Sequence, residues 1–188
     1  MAPTVAEAAR AVAVGALVVY PTDTLLGLGA RATDRAAVAR LLAAKDRPGE
    51  QALSVAVSSY EELERLAELS PAARRFVRTH LPGPYTVLVR PSAWTGRHLA
   101  PSVGGGATLG VRIPDHPVAR ELARRAGPIT ATSANRHGAP PARTPAEARA
   151  AFGRAVRVYL PSRPRPSGHP SQLVDLTGPA PRLVERRP

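Results

Sequence analysis

Apolar and polar positions follow two rhythms along this chain. Over residues 4–14 small apolar side chains return every three or four positions, with Thr4 as N-cap, acid in the first turn and Gly15 as the stop, which predicts a helix. Residues 16–20, ALVVY, run apolar without alternation, as a short strand buried on both faces does. Pro21 ends it, residues 21–30 read as a loop, and Thr33 or Asp34 caps a second amphipathic helix that finishes at Lys45. A strand follows at 52–57, then helices in SYEELERLAEL and SPAARRFVRTHL, broken by Pro71. Strands at 85–90 and 109–113 flank a Pro- and Gly-rich connection. A helix at 116–126 is capped at Asp115, and a strand at 128–132 runs into TSAN. A helix at 144–152 has Pro145 at its first position, and late strands at 156–160 and 173–176 are separated by the loop PSRPRPSGHPS. Strands alternating with helices predict an α/β fold around one open, twisted, largely buried sheet. The two-helix interruption and the closely placed late strands make that sheet mixed.

Composition narrows the setting. At 188 residues the chain suits a single domain able to bury a sizeable core. No apolar run approaches the roughly 18 residues a membrane span needs, and MAPTVAEAAR lacks the charged and apolar regions of a signal peptide. A cytoplasmic location without membrane attachment is expected. The absence of cysteine removes disulfides, thiolate catalysis and cysteine metal sites together. The formal charge of +12 admits two readings: an anionic partner such as a nucleotide, RNA or phosphate, or an Arg-rich composition with a solvated surface. Five histidines show no metal-ligand spacing, no GxSxG elbow occurs, and the scarcity of aromatics argues against base stacking as a main RNA-binding mode.

A few residues stand out against this background. Lys45 is the sole lysine among 26 basic side chains. A lysine is a compact point charge and an arginine a planar fork, so a site needing the former between phosphate oxygens is not filled by the latter; a plain helix-end charge is the other reading. Arg47 places a second cation two positions on. Asn135, the sole asparagine, follows the TATS strand and suits either a turn or a ligand. Arg112 lies inside an apolar strand and needs an anionic partner, either Asp115 nearby or a ligand. Thr22, Asp23 and Thr24 stand at the carboxyl end of a strand, where open α/β sheets bind ligands, and Gly27 and Gly29 would let backbone approach a ligand.

In order, YPTDTLLGLG, KDRP, ALSVAV, PGPYTVLV, LGVRIPDHP, TATSAN and PSQLVDLTG resemble the YrdC-like threonylcarbamoyl-AMP synthases over residues 12–183. The resemblance implies an open α/β twisted sheet around a deep, basic cavity, in the short single-domain form. It implies condensation of L-threonine, bicarbonate and ATP to threonylcarbamoyl-AMP and pyrophosphate. A partner threonylcarbamoyl transferase complex would use the product to modify tRNA, and tRNA itself is a candidate ligand. By the same resemblance Lys45 and Arg47 face the nucleotide phosphates and the threonine carboxylate, and Thr22 and Thr24 line the threonine pocket. Arg112 stands at the mouth of the nucleotide site, Ser133 and Asn135 contact phosphate and Mg²⁺, and Ser171 lies near the nucleotide. Lys45, Arg47 and Arg112 are thus the expected catalytic set, with Mg²⁺ carried by the ATP phosphates. Leu26 departs from the family, which usually has an aromatic there. Two alternatives remain: a tRNA- or dsRNA-binding module, and a paralogue that makes another carbamoyl-adenylate.

Overall fold

Thr4 begins the first helix as the hydropathy pattern predicts. In the computed structural model, which describes residues 2–46, 52–104 and 106–185, α1 (Val5–Ala13) opens on a reciprocal cap. The Glu7 N–H donates to Thr4 Oγ1 while the Glu7 carboxylate accepts from the Thr4 N–H, which satisfies two donors that helix geometry leaves without an internal partner.

The next strand, β1 (Leu17–Pro21), is buried at every position. Leu17 and Val19 enter one apolar core, and Val18 and Tyr20 enter the other. This two-sided burial is the cause of the unbroken apolar run. Residues 21–30, expected as a loop, instead turn back as β2 (Leu26–Gly29), antiparallel to β1 with Tyr20 opposite Gly27. The two glycines hide the strand from a propensity reading. Their role is steric: a Cβ on Gly27 would lie 2.7 Å from Tyr20 Cζ, and one on Gly29 2.9 Å from Tyr20 Cε1. They admit the Tyr20 ring, whose hydroxyl donates to the Thr130 carbonyl at 3.0 Å.

The chain continues through α2 (Arg35–Ala44), β3 (Ser54–Ala56), α3 (Tyr60–Leu66), β4 (Ala67–Glu68), α4 (Pro71–His80) and β5 (Tyr85–Pro91). Then come α5 (Ala93–His98), α6 (Pro101–Gly104), β6 (Leu109–Arg112), α7 (Pro117–Ala126), β7 (Ile129–Ser133), α8 (Pro145–Phe152), β8 (Val156–Tyr159), β9 (Gln172–Asp175) and β10 (Arg182–Val184). The short helices α5 and α6 occupy what reads as a Pro- and Gly-rich connection. β4 and β10 are too short to carry a period. α7 is capped one residue later than expected, at His116.

Among the described residues the strands form one sheet in the order β10-β9-β5-β6-β3-β7-β2-β1-β8, with β4 on the edge of β5. It is mixed, as expected: β1 with β8, β3 with β6 and β5 with β9 run parallel, the other pairs antiparallel. α1 and α7 cover one face over Val18, Tyr20 and Ile129, and the larger core fills the other. No helix among the described residues is long and apolar enough to cross a membrane.

Candidate active site

The loop 22–25 between β1 and β2 and residues of β3, β5, β6 and β7 line a cleft of about 230 Å³. Thr22, Thr24, Arg112, Ser133 and Ser171 all line it, so five residues scattered over 150 positions of sequence come to one place. Leu26 lines it as well and is fully buried. Among the described lining residues Arg112 is the charged one.

Arg112 is almost entirely enclosed, with 7% of its side chain exposed. The anion that balances it is Asp23, 89 residues away in sequence, at 2.8 Å. Asp115, the nearer candidate in sequence, pairs with Arg120 instead. The other Arg112 terminal nitrogen donates to Thr24 Oγ1 at 2.8 Å. Burial pushes the Arg112 pKa down, and Asp23 and then Tyr20 oppose that shift; an arginine so placed stays cationic. Arg112 Nε and Asp23 Oδ2 are buried without a hydrogen-bond partner among the described residues.

The hydroxyls form a directed chain. Thr22 Oγ1 has one hydrogen and donates it to the Leu25 carbonyl at 2.7 Å, so in the 3.0 Å contact between the two threonines Thr24 is the donor. Arg112 therefore donates to Thr24, Thr24 to Thr22, and Thr22 to the main chain. Thr22 also accepts from the N–H groups of Thr24 and Leu25, which fixes the loop as a tight turn. Across the cleft Ser171 and Thr86 share a 2.8 Å hydrogen bond.

Lys45 lies at the C-cap of α2 and is buried. Its ammonium donates to the carbonyls of Ser133 and Asn135, each at 2.6 Å, and its own carbonyl accepts from the His137 N–H at 2.7 Å. It clamps the TSAN segment, of which Ser133 lines the cleft. The Asn135 side chain works locally: Oδ1 accepts from Ser133 Oγ, and Nδ2 donates to the carbonyls of Arg136 and Ala139. Arg47 lies outside the described residues.

No cluster of three or more acidic, histidine or cysteine side chains that could hold a metal occurs among the described residues. The neighbouring oxygens of Ser133 Oγ and Asn135 Oδ1 nevertheless suit a hard cation that brings most of its ligands with it as water and phosphate.

Sequence reading missed Tyr20 and Thr86 as parts of this site. It singled out Asp23, a carboxylate between two threonines at a strand end, but not the partner of that carboxylate. Its pairing with Arg112 depends on distant strands meeting and leaves no local trace.

A mixed α/β sheet carrying a hydroxyl-lined cleft with a buried arginine offers a concave polar site of the kind in which small ligands are bound. The chain belongs to the Sua5/YciO/YrdC family, whose model, described as telomere recombination, matches residues 10–187. It is 41% identical over 156 residues to a threonylcarbamoyl-AMP synthase of Chromohalobacter salexigens, covering 82% of this chain and 83% of that one. It is 36% identical over 167 residues to a threonylcarbamoyl-AMP synthase of Escherichia coli, covering 86% of each. Among solved structures, P. abyssi Sua5 complexed with L-threonine superposes with a TM-score of 0.87 at 32% identity. That match covers 96% of this chain and 53% of Sua5, so the chain spans about half the length of that protein.

Proposed function

We propose that this chain is a threonylcarbamoyl-AMP synthase that acts in tRNA modification. It condenses L-threonine, bicarbonate and ATP to threonylcarbamoyl-AMP, pyrophosphate and water. The observation that carries the reading is the buried Arg112 guanidinium, held by Asp23 and Thr24 with Nε unused, at a cleft lined with hydroxyls. A preoriented cation in a dry setting favours charge that develops on phosphate oxygens and needs no reorganisation during reaction.

The threonine amine first takes up carbon dioxide from bicarbonate to form a carbamate. A carbamate oxygen then attacks the α-phosphorus, and the bond to the bridging oxygen breaks as pyrophosphate leaves. Such a displacement rests on positioning and charge neutralisation, and no protein nucleophile takes part. Thr22 and Thr24 hold threonine, and Arg112 and Ser171 face the nucleotide. Arg47 completes the carboxylate and phosphate contacts. Lys45 acts by fixing the TSAN segment, from which Ser133 and Asn135 would hold Mg²⁺. When bound, the ion would supply further neutralisation of phosphate charge. A transferase complex in the cytoplasm would consume the adenylate. Support comes from the family membership and from the threonine-bound relative.

The test is pyrophosphate release from ATP and bicarbonate with and without L-threonine. Release should require threonine; the same rate in its absence overturns the reading.

A further inference from the structure

Residues 161–171 form a mostly exposed strap between β8 and β9 whose last two residues line the cleft. Its Ser167 and Gly168 N–H groups donate to the carbonyls of Asp23 and Thr24, each at 2.9 Å. The strap thus lies on the loop that carries the Arg112 partners, and it ends at Ser171 inside the cleft. Gly168 has φ +86°, a conformation that glycine takes without strain. With few buried side chains, such a segment has low local stability, and single hydrogen bonds govern its opening.

One of those bonds comes from a residue the proposed chemistry leaves unused. His116 is 1% exposed. Its Nδ1 accepts from the Val118 N–H at 3.2 Å and caps α7, and its Nε2 lies 3.1 Å from the Pro164 carbonyl in the strap. A carbonyl only accepts, so Nε2 carries the hydrogen and donates. For capping alone, serine, aspartate or asparagine is the preferred type. An imidazole differs from them in having a second nitrogen that reaches away from the helix.

We propose that His116 is a positioning residue of this cleft. Through the Pro164 carbonyl it fastens the strap over Asp23 and Thr24 and so keeps Thr24 and Ser171 in register for the amino-acid substrate. The kinetic part rests on the synthase reading; the structural part does not.

Two variants separate the two ring nitrogens. His116→Ser keeps a capping acceptor and removes the strap donor. His116→Gln keeps a donor of similar reach and caps poorly. Amide hydrogen exchange read by NMR should show Ser167 and Gly168 exchanging roughly three- to tenfold faster in His116→Ser, the effect of one lost neutral hydrogen bond, with Val118 unchanged. In His116→Gln the strap amides should regain protection while Val118 loses it. The KM for threonine should rise in His116→Ser by a similar factor, with kcat near that of the parent chain, and fall back in His116→Gln. Unchanged exchange at Ser167 and Gly168 in His116→Ser would show that His116 only caps α7 and would overturn the proposal. Faster exchange with an unchanged KM would overturn the positioning role. If the parent chain releases no threonine-dependent pyrophosphate, the synthase reading fails, and the exchange comparison still decides whether His116 holds the strap.

Discussion

The Lys45 ammonium stands 2.6 Å from two main-chain carbonyls, a geometry that a compact cation with rotatable donors meets and a planar guanidinium does not. Lys45→Arg keeps the charge but overfills a buried site, which should cost about 1–3 kcal/mol of stability and displace Ser133 from the cleft. Urea denaturation should show the loss, and turnover should fall with it; a variant matching the parent in both would refute the clamp. Asp23 offers a second test. Removing one member of a buried ion pair leaves an uncompensated charge, so Asp23→Ala should lose about 3–5 kcal/mol. The double variant Asp23→Leu with Arg112→Met should recover much of that stability while remaining inactive. A double variant no more stable than Asp23→Ala would argue against charge burial as the cause. At this scale the sequence shows which residues are unusual, because rarity is a property of composition. It does not show that Lys45 turns inward to carbonyls near 135 or that Arg112 meets Asp23, since those contacts span about 90 residues.

At the scale of elements, hydrophobic periodicity locates the long helices and the buried strands, and their caps follow local chemistry. Thr4, Asp34, Ser59, Ser70 and Thr144 each accept from an N–H in the first turn of the following helix. Among the described residues several carboxylates tie such local structure to pH, Glu7, Glu147 and Asp175 among them. The Thr4 N–H holds the Glu7 pKa below its ordinary 4.5, and the Arg143 N–H does the same for Glu147. The Thr177 hydroxyl and N–H hold the Asp175 pKa below its ordinary 3.8. A lowered folded pKa means that stability is present above the unfolded value and is lost as pH falls through the folded one. The thermal midpoint should therefore be flat in this respect at neutral pH and decline below about pH 4.5. Glu7→Gln, which removes the carboxylate that accepts from the Thr4 N–H, should flatten that decline; an identical acid profile would exclude Glu7 as a contributor. The elements missed were those whose signal is tertiary. β2 contains two glycines because the Tyr20 ring crosses them, and α7 takes its cap from His116, whose other ring nitrogen reaches the Pro164 carbonyl 48 residues on.

For the whole molecule the relevant quantity is the net charge of +12. Several arginines meet acids at the surface, as Arg124 and Arg125 meet Glu121, yet the excess remains, and like charge held in a compact shape opposes folding. Screening relieves it: the Debye length falls from about 30 Å at 0.01 M salt to about 8 Å at 0.15 M. The thermal midpoint should rise by a few degrees over that range of sodium chloride, and a fall would mean that the surface ion pairs outweigh the repulsion. The order of the motifs along the chain and the alternation of helices with strands follow from the sequence by itself, because periodicity and capping act within a few residues. The mixed strand order, the Asp23–Arg112 pair, the Lys45 clamp and the strap on the Asp23 loop were decided by the tertiary structure. Each depends on which distant strands become neighbours, and that choice is made by burial of two apolar cores on the two faces of one sheet.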